Sequence, residues 1–322
     1  MTCNRTNCSA EAGRENLKAR ILELKKQKKA MILAHYYVDG DLQDIADFVG
    51  DSLALAQKAA ANGADADIIV MCGVNFMGET VKILCPDKKV LVPDTAAGCS
   101  LADSCPAADF AAFIAANPGH TVISYVNTSA EVKALTDILV TSSNALKIVS
   151  SLPQDEKIIF GPDRNLGSYI AAQTGRDMLL WDGACHVHQR FSPEGIIELK
   201  KKYPGAPVLV HPECPGAVRV LADKIGSTAA LLKYAVESPE HDFIVATESG
   251  ILHQMRKDAP QKNFIPAPPE DAACGCNECA YMKLNTLAKL RDCLENETGE
   301  ITVDPTLAEK ALRPIWRMLE LS

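Results

Sequence analysis

The chain repeats one pattern three times, and each repeat finishes by presenting a cysteine. Three apolar runs end in polar residues: MILAHYY at His35, TVISYVN at Tyr125 and VLVHPE at His211, in steps of 90 and 86 positions. A hydroxyl residue follows each of these at a distance of 17 positions, at Ser52, Ser142 and Thr228. The cysteines come last: Cys99 in VLVPDTAAGC, Cys185 in MLLWDGAC, and Cys274, Cys276 and Cys279 in FIPAPPEDAACGCNEC. Units of this length cannot bury their own faces alone, so a repeated chain stacks them. Three similar units, each giving one soft ligand to a common point, describe a metal site on a pseudo-threefold axis.

Each unit reads as β-loop-α-α-β-loop-α-β-Cys-α. Continuous apolar strands alternating with helices predict parallel sheets covered on both faces. The expected fold is therefore α/β: three small αβα sandwich domains, three strands apiece, around a pseudo-threefold axis. Residues 1–98 with 285–322 make the first unit, 99–184 the second and 185–284 the third. DLQDIADFV, EVKALTDIL and GAVRVLADKI read as helices. NLKARILELKKQ and the final TLAEKALRPIWRMLELS have no place in the repeats and are expected to pack together on the first unit. Ser52, Ser142 and Thr228 are favourable N-cap types. Three helix N-termini facing one cavity would also bind anions through their free N–H groups.

Composition removes several function classes. A net charge of −8 over 322 residues, with KKQKK (Lys25 to Lys29) as the densest basic run, disfavours nucleic-acid binding. No apolar run reaches the roughly 18 residues of a membrane span. MTCNRTNCSAEAGREN lacks the apolar core of a signal peptide, so a cytoplasmic chain is expected. Neither a G-x-G-x-x-G nor a phosphate-binding G-x-x-x-x-G-K-[ST] motif is present.

Twelve cysteines in such a chain point to metal or catalytic chemistry rather than disulfides. Cys72 and Cys293 read as small buried hydrophobes, and Cys3 and Cys8 as part of a tail. Zinc favours four ligands in two close pairs, which Cys99 and Cys185 lack unless Cys105 and Cys214 are recruited. Three thiolates suit a 4Fe–4S cluster with one iron left open. Spacing leaves the third ligand undecided: Cys274 lies nearest the expected position, while Cys276 and Cys279 form a C-x-x-C. In open parallel sheets ligands bind beyond the carboxyl ends of the strands. That rule gathers His35, Tyr37, Tyr125, Asn127, His211 and Glu213 with the cysteines. His35, Tyr37, His211 and Glu213 are the acid–base candidates; His120, His241 and His253 receive no role.

AHYY, GDSLALA, GVNFMGET, LVPDTAAGCSLADSC, SYVNTSAEVKALTD, VTSSNA, FGPDRNLGSYIA, CHVHQRF, HPECP, IGSTAALL, ATESGILHQM and C-x-x-C-x-Y-M-K-L-N-T together resemble the quinolinate synthase family of NAD biosynthesis. The resemblance implies three stacked αβα domains and a 4Fe–4S cluster held by Cys99, Cys185 and Cys279. It implies condensation of iminoaspartate with dihydroxyacetone phosphate to quinolinate, phosphate and water, and a functional link to L-aspartate oxidase. His35, Ser52, Tyr125, Val126, Asn127, Ser142, His211, Pro212, Glu213 and Thr228 would line the substrate site, with Tyr37, His211 and Glu213 catalytic. Ala273 stands where some members carry a further cysteine. An iron–sulfur reductase or transferase of similar build, of the isoprenoid reductive dehydratase or diphthamide type, and a metal-sensing scaffold are the alternatives.

Overall fold

The structure is a computed structural model that describes residues 5–271 and 277–322, with side chains from residue 11. The central strands are buried throughout and largely apolar because helices cover both of their faces. The first sheet holds β1 (Ala30–His35), β2 (Phe48–Gly50), β3 (Ile68–Cys72) and β4 (Lys89–Leu91) in the order β2-β1-β3-β4. The second holds β5 (Thr121–Tyr125), β6 (Ile138–Val140), β7 (Ile158–Gly161) and β8 (Met178–Leu180), ordered β6-β5-β7-β8. The third holds β9 (Val208–Val210), β10 (Lys224–Ile225), β11 (Asp242–Ala246) and β12 (Asn263–Pro266), ordered β10-β9-β11-β12. Every pairing is parallel, and the register repeats: Ala34 opposes Cys72 where Ser124 opposes Gly161 and Val210 opposes Ala246.

Each sheet thus has four strands rather than the expected three. DLQDIADFV, EVKALTDIL and GAVRVLADKI each divide into a short helix (Gly40–Ile45, Ala130–Ala134, Gly216–Arg219) and a strand, β2, β6 or β10. The cause is an aspartate at the same place in every unit. Asp47 gives its N–H to Ile32 O at 2.9 Å and accepts the Ile32 N–H on Oδ2 at 2.8 Å. Asp137 does the same with Val122, and Asp223 with Val208. The helices have ended by then, at Ile45, Ala134 and Arg219, and this pair of bonds lays the residues after the aspartate along the sheet edge.

The two extra segments do not take each other as principal partners. The N-terminal helix (Arg5–Gln27) packs on the helix Leu287–Asn296 and on β1. The C-terminal helix (Pro305–Leu321) lies instead on the helix Ala130–Ala134 and β6 of the second unit and on the helix Asn75–Leu84 of the first. Its Ala311, Ile315 and Met318 fill a seam with Leu53, Ala56 and Ile83 from one side and Ala130 and Leu139 from the other. Among the described residues no helix is long and apolar enough to cross a membrane.

Candidate active site

The carboxyl ends of β1, β5 and β9 open onto one cavity between the units. Its wall includes His35, Tyr37, Ser52, Cys99, Tyr125, Asn127, Ser142, Cys185, His211, Glu213, Thr228 and Cys279. Two residues assigned to the site by resemblance, Val126 and Pro212, are not among those bordering the cavity. Val126 is buried in the apolar core, and Pro212 offers its carbonyl to Arg219 at 3.2 Å. Cys105 and Cys214 belong to the cores of the second and third units. Cys274 and Cys276 lie outside the described residues.

His35 and His211 occupy equivalent positions and make equivalent bonds. Nδ1 of His35 accepts the Tyr37 N–H at 3.2 Å, and Nδ1 of His211 accepts the Glu213 N–H at 3.4 Å. Burial lowers both imidazoles to about 3, so they are neutral near pH 7. With Nδ1 accepting, each carries its proton on Nε2; that of His211 faces Ser142 Oγ at 3.3 Å. The 3.7 Å approach of His211 to Glu213 is accordingly no ion pair.

Glu213 is buried and still ionised. Desolvation alone would raise its carboxyl; the neighbouring imidazoles of His188 and His211 and hydrogen bonds from His188 and Tyr125 outweigh it and bring it to about 2. Tyr125 Oη donates to Oε1 at 2.5 Å, and His188 Nδ1 stands 3.1 Å from Oε2. The sequence did not single out His188, although it shares a tight turn with Cys185 in Cys185-x-x-His188. Its Nδ1 also lies 3.4 Å from Cys185 Sγ, its Nε2 3.0 Å from Thr247 Oγ1, and its ring stacks on His211 with centroids 4.5 Å apart. Cys185, His188 and Glu213 can present ligand atoms within 4.8 Å of one another.

Tyr37 Oη lies 2.7 Å from Thr228 Oγ1 and 2.9 Å from Thr247 Oγ1. Burial, then the Glu213 charge, raise the phenol well above its usual value, which keeps it protonated. Ser52 and Thr228 are not the caps their residue types suggested. Asp51 caps the helix Ser52–Asn62 through Ala54 N, and Ser227 caps the helix Thr228–Glu237 through Ala230 N. The two hydroxyls occupy the first helical turn instead and border the cavity. Asn127 Oδ1 is buried without a hydrogen-bond partner among the described residues, an acceptor available to a bound molecule.

Cys99, Cys185 and Cys279 carry no disulfide. Burial pushes the Cys99 thiol up to about 12 and raises the other two as well. Such thiols stay neutral in an empty cavity and ionise when a metal centre takes them as ligands, so the donor set fits an iron–sulfur group. The segment after Cys279 folds back on the first unit, with Asn285 Nδ2 on Gly73 O at 2.8 Å and Lys283 Nζ on Tyr37 O at 3.0 Å.

An ionised carboxylate, neutral imidazoles and protonated phenols facing thiols across one enclosed space constitute an enzyme interior. The family model described as Quinolinate synthetase A protein matches residues 19–320, and the chain belongs to this family. It is 56% identical over 307 residues to a quinolinate synthase of Synechococcus sp., covering 95% of each chain. It is 58% identical over 307 residues to that of Thermosynechococcus vestitus, covering 95% of this chain and 96% of the relative. With that of Chloroherpeton thalassium the identity is 55% over 302 residues, or 94% and 93% of the two chains.

Proposed function

We propose that the chain condenses iminoaspartate with dihydroxyacetone phosphate to quinolinate, releasing phosphate and water, in cytoplasmic NAD biosynthesis with L-aspartate oxidase as the source of the imine. The carrying observation is that three thiols, one following the last strand of each sheet, share a cavity with Glu213, Tyr37 and hydroxyls from all three units. Cys99, Cys185 and Cys279 would hold a 4Fe–4S cluster, which supplies a Lewis-acidic open iron when bound.

The remaining work falls to side chains of the cavity. Ser52, Ser142 and Thr228, with the Nε2 hydrogens of His35 and His211, hold the carboxylates and the phosphate. Helix N-termini at Ser52 and Thr228 add partial positive charge. Tyr37 stays protonated and donates. Glu213 accepts, and every anion brought into the cavity raises its basicity because like charges oppose ionisation. His211 orients a substrate oxygen through Nε2.

Anaerobically purified protein given both substrates should form quinolinate. Cys99→Ala should lose iron and product together, and Glu213→Gln should lose product while keeping iron. No product from protein with intact iron and sulfide would discard the proposal. The grouping of Cys185, His188 and Glu213 favours a second reading, a single divalent ion held by these three. Iron and sulfide in equal amounts separate the cluster from that ion.

A further inference from the structure

Two buried acids sit at one place in the repeat and take no part in the proton transfers above. The common register puts Asp163 two positions beyond β7 and Glu248 two positions beyond β11. Both have 0% exposure. Asp163 Oδ2 accepts the backbone N–H of Cys185 at 3.2 Å, and Glu248 Oε1 accepts that of Cys279 at 3.1 Å. Each acid uses its second oxygen on its own loop. Asp163 Oδ1 caps the helix Arg164–Thr174 through Leu166 N at 2.7 Å, and Glu248 Oε2 takes Gly250 N at 2.7 Å. The first unit has Val74 at this place, which offers no side-chain acceptor.

Glycines make the approach possible. A Cβ on Gly183 would stand 2.4 Å from Pro162 O, and one on Gly250 would stand 2.7 Å from Tyr36 O and 2.8 Å from Glu248 Oε2. The chain therefore packs backbone against backbone so that a carboxyl can reach the cysteine N–H.

We propose that Asp163 and Glu248 are positioning residues for the metal centre, each fixing through the backbone N–H the cysteine that follows the last strand of its own sheet. This rests on Cys99, Cys185 and Cys279 being the ligands. A carboxyl oxygen accepts a backbone N–H, and groups that orient metal ligands govern how firmly the metal is kept. Two of the three thiols are thus set in place before the centre arrives; Cys99 has no such acid, because Val74 stands at the equivalent place beyond β3.

Asp163→Asn separates this role from helix capping. The amide keeps a carbonyl oxygen for Leu166 N but turns its NH2 toward the Cys185 N–H. Glu248→Gln sets the same conflict at Cys279. The measurement is the rate at which EDTA strips iron from anaerobically purified protein, alongside thermal unfolding of the metal-free forms. Both variants should lose iron roughly 10- to 100-fold faster than the parent while unfolding close to its temperature. Ser129→Ala, which removes a helix cap bonded to Val132 N and to no cysteine, should strip at the parent rate. If Asp163→Asn does not fold, Asp163→Ser retains one oxygen for the cap and supplies the same comparison. Parental stripping rates in these variants, with no iron in Cys99→Ala, Cys185→Ala or Cys279→Ala, would overturn the positioning role and leave the ligand set standing. Full iron in the cysteine variants would overturn the ligand set and this role with it.

Discussion

Glu213 and the imidazoles around it decide how the cavity responds to pH. His35 and His211 titrate at about 3 in the folded protein against an ordinary value of 6.5. Between those values the unfolded chain binds protons that the folded one refuses, so stability falls as pH drops through the window. Glu213, lowered from 4.5 to about 2, adds loss in the same direction, but only below about 4.5. In metal-free protein this loss is opposed by Asp163 and Glu248, whose carboxyls burial raises so that they bind protons in the folded state. The test is therefore a comparison: from pH 6.5 to 4.5 the urea midpoint of His211→Gln should fall less, or rise more, than that of the parent. An unchanged slope would mean that His211 is ionised in the folded state. The strand-end residues of this group were legible because a polar residue closing a buried apolar run stands out. His188 was not, because its role comes from a turn that aims one ring at Cys185, Glu213 and Thr247 together.

The short edge strands show where periodicity fails. A run such as EVKALTDIL keeps its apolar residues at helical intervals, yet the helix ends at Ala134 and the chain enters the sheet edge directly after Asp137. Two or three strand residues complete less than one helical turn, so no change of period is visible in them. What could be read was the recurrence of aspartate at 47, 137 and 223, in steps of 90 and 86 that match the repeat. Central strands and helices were legible for the opposite reason, since both faces are buried and the runs are long. Asp137→Ala should cost about 1 kcal/mol, the worth of one bond to a backbone N–H, and lower the thermal midpoint. No change would make the aspartate a passive occupant of the turn.

Three different joints bring the units together around the cavity. Gln43, buried in the first unit, donates to Gly250 O of the third at 3.1 Å as well as to Tyr36 O and Val38 O beside Tyr37. Arg219 of the third donates to Ser168 Oγ of the second at 2.9 Å and to Asn165 O. First and second units meet at the apolar seam filled by Ile315, which has 0% exposure. Ile315→Ala should cost about 2–5 kcal/mol through the void it leaves. The seam also carries Leu53 and Ala130, neighbours of Ser52 and of the loop after Asn127, so loosening it should move two groups proposed to hold substrate. Ile196→Ala supplies the control, because Ile196 is equally buried but lies in a core of the third unit alone. At comparable loss of stability, Ile315→Ala should raise KM for the phosphate-bearing substrate well above the value in Ile196→Ala. Equal KM values would mean that the seam contributes to stability and leaves the spacing of the cavity to the polar joints.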